Sequence, residues 1–449
     1  MDDLKDLATQ VIERATRAGA SGAECLVREG REFSVTVRLG EIETLKEAAS
    51  KGLGLRVLAG QRAASCYTSD FSPDGIGRVI DQAVALVQFT SQDPAHGLPE
   101  PELLGQIPGD LLLYCDDVEA FSVDERIDWA RRAERAALDA DPRLQNSEGG
   151  TFDAASGRLV LANSLGFVGE YPQSYCSLSA VPIAIASGCA MQRDYWYSIS
   201  RSLACLEKPE QVGRVAAQRA LRRLNARKVE TCRVPVAFDP MTARSLLDNL
   251  FEAVNGDAVY RGASFLANRL GEQVAAPGVT VIDDGTIPGG FGTSPFDDEG
   301  VPTRRTPVIE RGVLRSFLLN CYAGRKLKMP TTGNAARGLA GNPGIGHGNF
   351  YLAPGSAPPE RIIGSIRRGF YVTELIGSGV NLVTGDYSRG AVGQWIEGGE
   401  FAYPVEEVTI AGNLLDMMRG IAEVGNDLEF RGAVACPTLL IAEMTVAGR

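Results

Sequence analysis

Apolar and polar positions alternate along the chain in two registers, and the change from one to the other marks its elements. Leu4, Leu7, Ala8, Val11, Ile12 and Ala15 recur at helical spacing and stop at Gly19, which predicts a helix over residues 4–18. Residues 25–28 and 33–39 then alternate with period two, with Phe33, Val35 and Val37 on one side. A turn at Gly40-Glu41 leads into strands at 42–46, 53–58 and 62–67, the last two joined at Ala59-Gly60. Ser72-Pro73 opens a second helix with Ile76, Val79, Ile80, Ala83, Val84 and Val87 inward. Residues 91–110 form a Pro- and Gly-rich loop, and Ser122 with Glu125 makes a capping box for a third helix ending near Asp139. Hairpins turning near Ser156-Gly157 and at 163–166, a strand at 176–185 and a helix at 209–224 complete the first half.

From Arg233 the texture changes, and thirty-two of the 51 glycines follow residue 225, so loops and strands dominate there. Strands are predicted at 234–238, 279–283, 301–310, 313–319, 370–376, 382–384, 392–396, 405–410 and 439–446, with short helices at 359–368 and 414–422. The strongest helix signal of the chain is residues 239–256. Asp239 is an N-cap, Pro240 suits the first helical position, Asn255-Gly256 is a stop, and Ala243, Leu246, Leu247, Leu250, Phe251 and Val254 form one apolar stripe. The pattern as a whole predicts an α+β fold: an N-terminal helix-plus-antiparallel-sheet domain over 1–225 and a β-rich C-terminal domain over 226–449. A chain of 449 residues exceeds one core, which agrees with that division.

Composition removes several function classes. The net charge is −11, and the densest basic runs, around Arg222-Arg223 and Arg367-Arg368, are short, so a nucleic-acid surface is excluded. Asp2, Asp3 and Asp6 stand where a secretion signal is basic, and the most apolar stretch, 178–191, is too short to span a bilayer and holds Pro182. A cytoplasmic protein is expected, with no membrane partner. Nine cysteines at scattered positions, without a CxxC pair, fit reduced and mostly buried thiols.

Candidate chemistry is sparse. A catalytic zinc takes three protein ligands, His foremost, and the chain has two histidines, His96 and His347, far apart in separate loops and read as solvated. In the 239–256 helix, Phe251-Glu252-Ala253-Val254-Asn255-Gly256 sits where a metallopeptidase carries a metal helix with His first and last and Glu second. Phe and Gly hold the His places; Phe251 belongs to the apolar stripe, and Glu252 turns toward the polar face. Asp297-Asp298-Glu299 reads as a cation site, an acid–base pair or, in preference, a turn of solvated charges. Glycine-rich turns at 331–337 and 384–390 carry Asn334, Arg337, Asp386 and Ser388, a composition that suits a backbone-lined groove and an ordinary turn equally. Neither a nucleotide loop nor a GxSxG nucleophile elbow is present.

Several short motifs in the C-terminal half follow one another in a familiar order. Phe238-Asp239-Pro240, Gly262-Ala263-Ser264-Phe265-Leu266, Phe296 to Gly300, Arg311-Gly312-Val313-Leu314, Thr332-Gly333-Asn334-Ala335, Thr384 to Ser388 with Ile396 to Glu400, and the closing stretch from Pro437 to Gly448 resemble the TldD/PmbA family. The resemblance is strong over the C-terminal half and looser over the N-terminal helix and meander. It implies a family with a zinc peptidase branch, TldD, carrying His-Glu-x-x-x-His, and a PmbA or TldE branch that lacks the histidines and pairs with TldD. With Phe251 and Gly256 in the ligand places and Glu252 kept, this chain is similar to the PmbA branch. The resemblance implies degradation or trimming of unfolded peptides in a closed chamber, zinc in a TldD-like partner and no metal or catalytic residue in this chain. Arg304, Arg305, Asn334, Arg337, Asp386 and Ser388 are the candidate peptide-groove residues. Two other readings stay open: a homodimeric peptide-binding scaffold, and an autonomous hydrolase with a carboxylate site around Asp297, Asp298 and Asp386.

Overall fold

The computed structural model describes residues 4–186 and 191–448. In chain order the first half runs α1 (Leu4–Arg17), β1 (Gly22–Arg38), β2 (Glu41–Ala59), β3 (Arg62–Thr68), α2 (Pro73–Val87), the single turn α3 (Asp117–Ala120), α4 (Val123–Leu138), β4 (Leu144–Asn163), β5 (Val168–Ile185), β6 (Met191–Arg193), β7 (Trp196–Ser200) and α5 (Pro209–Leu221). The strands form one antiparallel sheet in the order β3-β2-β1-β4-β5-β6, with β7 also on β5.

The helices start where their caps predict. Ser72 Oγ accepts from the Gly75 amide, and Ser122 and Glu125 close the expected capping box before α4. The strands are longer than their patterns. Segments 25–28 and 33–39 are one strand, β1, and 42–46 and 53–58 are one strand, β2. The hairpin expected at Ser156-Gly157 is absent, because β4 runs straight through it. The charged residues in the middle of β1 stay hydrogen-bonded between two neighbours, with Gly30 opposite Ser50 on one side and Gly157 on the other. A Cβ at Gly157 would stand 2.5 Å from the Glu29 carbonyl oxygen, so this glycine marks a close strand approach rather than a turn.

One sheet face, bearing Cys25, Val27, Phe33, Val35 and Val37 of β1, is covered by helices. The pair α1 and α2 covers one end and the pair α4 and α5 the other. On the opposite face Leu26, Leu159 and Leu161 pack against Phe296 from the second half of the chain.

The second half runs β8 (Cys232–Phe238), α6 (Pro240–Val254), α7 (Gly256–Tyr260), β9 (Val281–Asp284), β10 (Arg305–Glu310), β11 (Val313–Leu314), α8 (Cys321–Leu327), β12 (Ala335–Ala336), β13 (Gly344–Ile345), β14 (Asn349–Leu352), α9 (Pro359–Gly364), β15 (Arg368–Ile376), β16 (Asp386–Glu397), β17 (Glu400–Asn413), α10 (Leu414–Arg419), β18 (Ile421–Val424), β19 (Val434–Ala435) and β20 (Leu439–Ala447). A six-stranded sheet, β17-β16-β15-β8-β20-β18, and a five-stranded sheet, β11-β10-β9-β14-β19, enclose α6, which touches β8 and β15 of the first and β14 and β19 of the second. Leu246, Leu247 and Leu250 of α6 share one core with Phe238, Phe350, Phe370 and Trp395. The strand expected over 313–319 stops at Leu314, and Asn320 caps the unanticipated α8 through a bond from the Ala323 amide. Residues 382–384 lie in a loop. The chain is therefore α+β, with a helix-plus-antiparallel-sheet N-terminal half and a β-rich C-terminal half.

Among the described residues no helix is long and apolar enough to cross a membrane. Cys25, Cys176, Cys321 and Cys436 are buried free thiols, Cys66, Cys115 and Cys232 are half-buried, and Cys205 is exposed. Cys189, Asp2 and Asp3 lie outside the described residues.

Candidate functional site

Helix α6 is fixed at its start by Asp239, whose Oδ1 accepts from the Met241 amide and whose Oδ2 accepts from the Tyr371 hydroxyl at 3.2 Å. Pro240 occupies its first turn, and the apolar stripe turns into the core. Phe251 in the last turn is buried, with its ring edge-on to His347 at 4.8 Å and to Phe350 at 6.1 Å. Glu252 faces solvent.

The helix does not reach Gly256. Asn255 leaves the helical region at ψ 122°, forms a bridge with Leu318, and opens α7 by accepting from the Asp257 amide. Gly256 donates to the Leu318 carbonyl at 2.9 Å. A Cβ at Gly256 would meet Leu319 Cδ2 at 2.5 Å and the Ala323 Cβ at 2.9 Å. Positions 251 and 256 thus lie on separate helical segments, the first filled by core and the second closed to any side chain. A zinc ion does not fit this donor set: Phe and Gly offer no ligand atom, and Glu252 points away. Among the described residues no three His, Cys, Asp or Glu side chains converge as a metal group.

Beside His347 opens a cavity of about 240 Å³, lined by Asp283, Asp297, Asp298, Arg304, Asn334 and Phe296 among others. His347 is half-buried against Phe251 rather than solvated, and its Nδ1 donates to the Gly348 carbonyl at 2.8 Å. His96 likewise is half-buried, its ring 5.3 Å from that of Tyr322. Asp283 accepts from Asn334 Nδ2 and from the Gly348 amide, both at 2.7 Å, and burial still pushes its carboxyl up to about 6.

The acidic cluster is not the turn of solvated charges that its Gly and Pro predict. Asp297 and Glu299 are buried, and burial and then their mutual charge hold Asp297 well above the usual carboxylate range. They are kept there by backbone: Asp297 accepts from the amides of Glu299, Val301 and Ala335, and Glu299 from that of Cys321. Asp298 accepts from the Arg337 amide at 2.7 Å and pairs with Arg28 across the domains at 3.3 Å. These carboxylates tie loops together, and both oxygens of Asp297 are engaged by backbone amides.

The six groove candidates do not form one groove. Only Arg304 and Asn334 line the cavity beside His347. Arg305 is exposed, 3.9 Å from Asp284. Arg337 is buried at the domain interface, 3.6 Å from Glu24. Asp386 accepts from the Thr384 hydroxyl on an exposed turn, with Ser388 exposed nearby on β16, so Asp386 joins no site with Asp297 and Asp298. Sequence reading missed Asp283, at the end of a strand, and Asp248, one turn ahead of Phe251. The available signal for Asp248 was an acidic residue directly beside the apolar stripe at Leu246 and Leu247. A cavity of about 480 Å³ flanks the N-terminal half of α6, lined by Met241, Arg244, Ser245 and Asp248. Another, about 600 Å³, lies away from α6 on the N-terminal sheet, and its Arg158 is already paired with Glu29 at 2.6 Å and Glu170 at 3.3 Å.

Comparison with known proteins places these features in a family. Residues 23–87, 116–224 and 231–448 match, in that order, domain 1, the central domain and the C-terminal domain of PmbA/TldA metallopeptidases. The chain is 39% identical to the metalloprotease PmbA of Escherichia coli O157:H7, over 99% of this chain and 96% of that protein. It is 36% identical to a PmbA homologue of Haemophilus influenzae over the same shares. A solved structure described as a modulator of DNA gyrase, from Bacteroides thetaiotaomicron, superposes with a TM-score of 0.92 at 27% identity, covering 100% of both chains. TldE from Thermococcus kodakarensis shares the fold with a TM-score of 0.89 at 23% identity, covering 98% of this chain and 99% of that one.

Proposed function

The chain belongs to the PmbA/TldD metallopeptidase family, and from that premise we propose that it is the non-hydrolytic, PmbA/TldE-like subunit of a heteromeric metallopeptidase that degrades or trims unfolded peptides. One observation carries the reading. Where the resemblance places the two histidines of the zinc branch, this chain has a core phenylalanine and a glycine with no room for a side chain, separated by a break in the helix. A TldD-like subunit supplies the zinc and its activated water. This chain supplies chamber walls, and a peptide lies along them as an added strand bonded through its main chain, which tolerates any sequence without a fold of its own. The autonomous-hydrolase reading loses support because the oxygens of Asp297 are taken by backbone amides and Asp386 sits elsewhere. The compartment is the cytoplasm, where the free thiols stay reduced, and the isolated chain is free to form a homodimer.

The test is co-expression with the TldD-like protein of the same source, followed by an assay on an unfolded peptide with and without chelator. Hydrolysis that needs both chains and is lost to chelation is expected. Hydrolysis by this chain alone, or one zinc per purified chain, overturns the proposal. Peptide binding that never raises the partner's turnover would make the chain a homodimeric scaffold instead.

A further inference from the structure

The 480 Å³ cavity beside α6 holds more positive charge than its own carboxylates neutralise. Five of its lining residues are arginines. Three are matched: Arg193 with Glu148 at 2.6 Å, Arg219 with Asp194 at 3.2 Å and Asp239 at 3.5 Å, and Arg223 with Glu374 at 2.6 Å. The other two, Arg244 on α6 and Arg389 on β16, have no carboxylate within ion-pair distance among the described residues. Arg244 donates to the Tyr197 hydroxyl at 2.8 Å, and Arg389 Nε is buried with no hydrogen-bond acceptor among the described residues. Asp248 is the carboxylate that feels both guanidiniums, but its burial opposes its ionisation. Arg244 and Arg389 are half-buried, and a partly desolvated guanidinium without a counter-charge gains from an entering anion.

The same cavity runs along an open strand edge. β8 pairs with β15 only as far as Val372, because β8 ends at Phe238 and the chain turns into α6 at Asp239, whose amide takes the Val372 carbonyl. Beyond that point β15 pairs, among the described residues, with β16 alone, and Thr373, Glu374 and Leu375 line the cavity. An extended chain can add there by main-chain hydrogen bonds. We infer that this cavity receives the end of a peptide, its C-terminal carboxylate clasped by Arg244 and Arg389 while the preceding residues extend β15. The planar carboxylate matches the guanidinium fork. The inference rests on the peptide-chamber reading above and adds to it which end of the substrate this subunit holds.

The probe is an unstructured peptide without acidic side chains, prepared as the free acid, as the C-terminal amide, and as an amide whose last residue is Glu. Binding to the full chain is read by fluorescence anisotropy at low salt. The free acid binds about tenfold tighter than either amide. Arg389→Gln and Arg244→Gln each bring that ratio toward unity, and Arg389→Lys restores part of it. Equal, measurable binding of acid and plain amide overturns the carboxylate clasp while leaving the chamber standing. Equal binding of the acid and the Glu amide overturns it in favour of a side-chain subsite. Absence of binding by all three forms overturns the chamber reading together with the clasp.

Discussion

Position 256 is the clearest point at which a single residue decides chemistry. With Leu319 and Ala323 against it, no imidazole can be seated there without moving α8 and the residues just before it. Phe251→His combined with Gly256→His is therefore expected to lose about 2 kcal/mol or more of stability in denaturant titration through overpacking, and to bind no stoichiometric zinc in elemental analysis. Asp283 gives a second residue-scale outcome. Burial pushes its folded carboxyl up to about 6, above the 3.8 of a free aspartate. Between these values the folded state holds a proton that the unfolded chain has released, so its contribution is full below the unfolded pKa and is lost as pH rises through the folded one. Melting temperature against pH should decline across that window, and Asp283→Asn should flatten this part of the profile, from a lower plateau because one accepted hydrogen bond is lost. Phe251 and Gly256 themselves are read directly from the sequence. The burial of Asp283, Asp297 and Glu299 was not legible there, because the partners that desolvate them come from distant segments, and a local Gly-Pro signature says nothing about what packs over it.

At the level of elements, helices were easier to read than strands, for a physical reason. A helix satisfies its hydrogen bonds within itself and announces its ends by caps, as Ser72, Ser122 and Asp239 do. A strand takes its length from its neighbours. The Glu29–Glu32 stretch looks like a loop by charge but stays in β1 because β2 and β4 bond it on both sides. Gly157→Val is expected to destabilise the chain by roughly 1–3 kcal/mol, since a side chain there strikes the Glu29 carbonyl. Asp239→Ala removes the α6 cap and the counter-ion that Arg219 and Arg222 share with it, at 3.5 and 3.9 Å. A loss of about 3 kcal/mol is expected, read by chemical denaturation, with Asp239→Asn recovering the cap but not the charge.

Across the molecule, the two halves meet through charge as well as apolar contact. Glu24 of β1 is buried with Arg56 of β2 at 2.5 Å and Arg337 from the C-terminal half at 3.6 Å. Glu24→Gln leaves two guanidiniums facing each other in the interior. It should cost about 3–5 kcal/mol and split a single calorimetric transition into two as the halves uncouple. The arrangement also bears on how the protein is made. Ribosomes release β1 hundreds of residues before Arg337 and Phe296 can arrive. Until then Leu26, Leu159 and Leu161 form a bare greasy patch beside an acid that Arg56 alone neutralises. A nascent chain stalled in that interval should be the form that chaperones capture and that clumps when translation is interrupted.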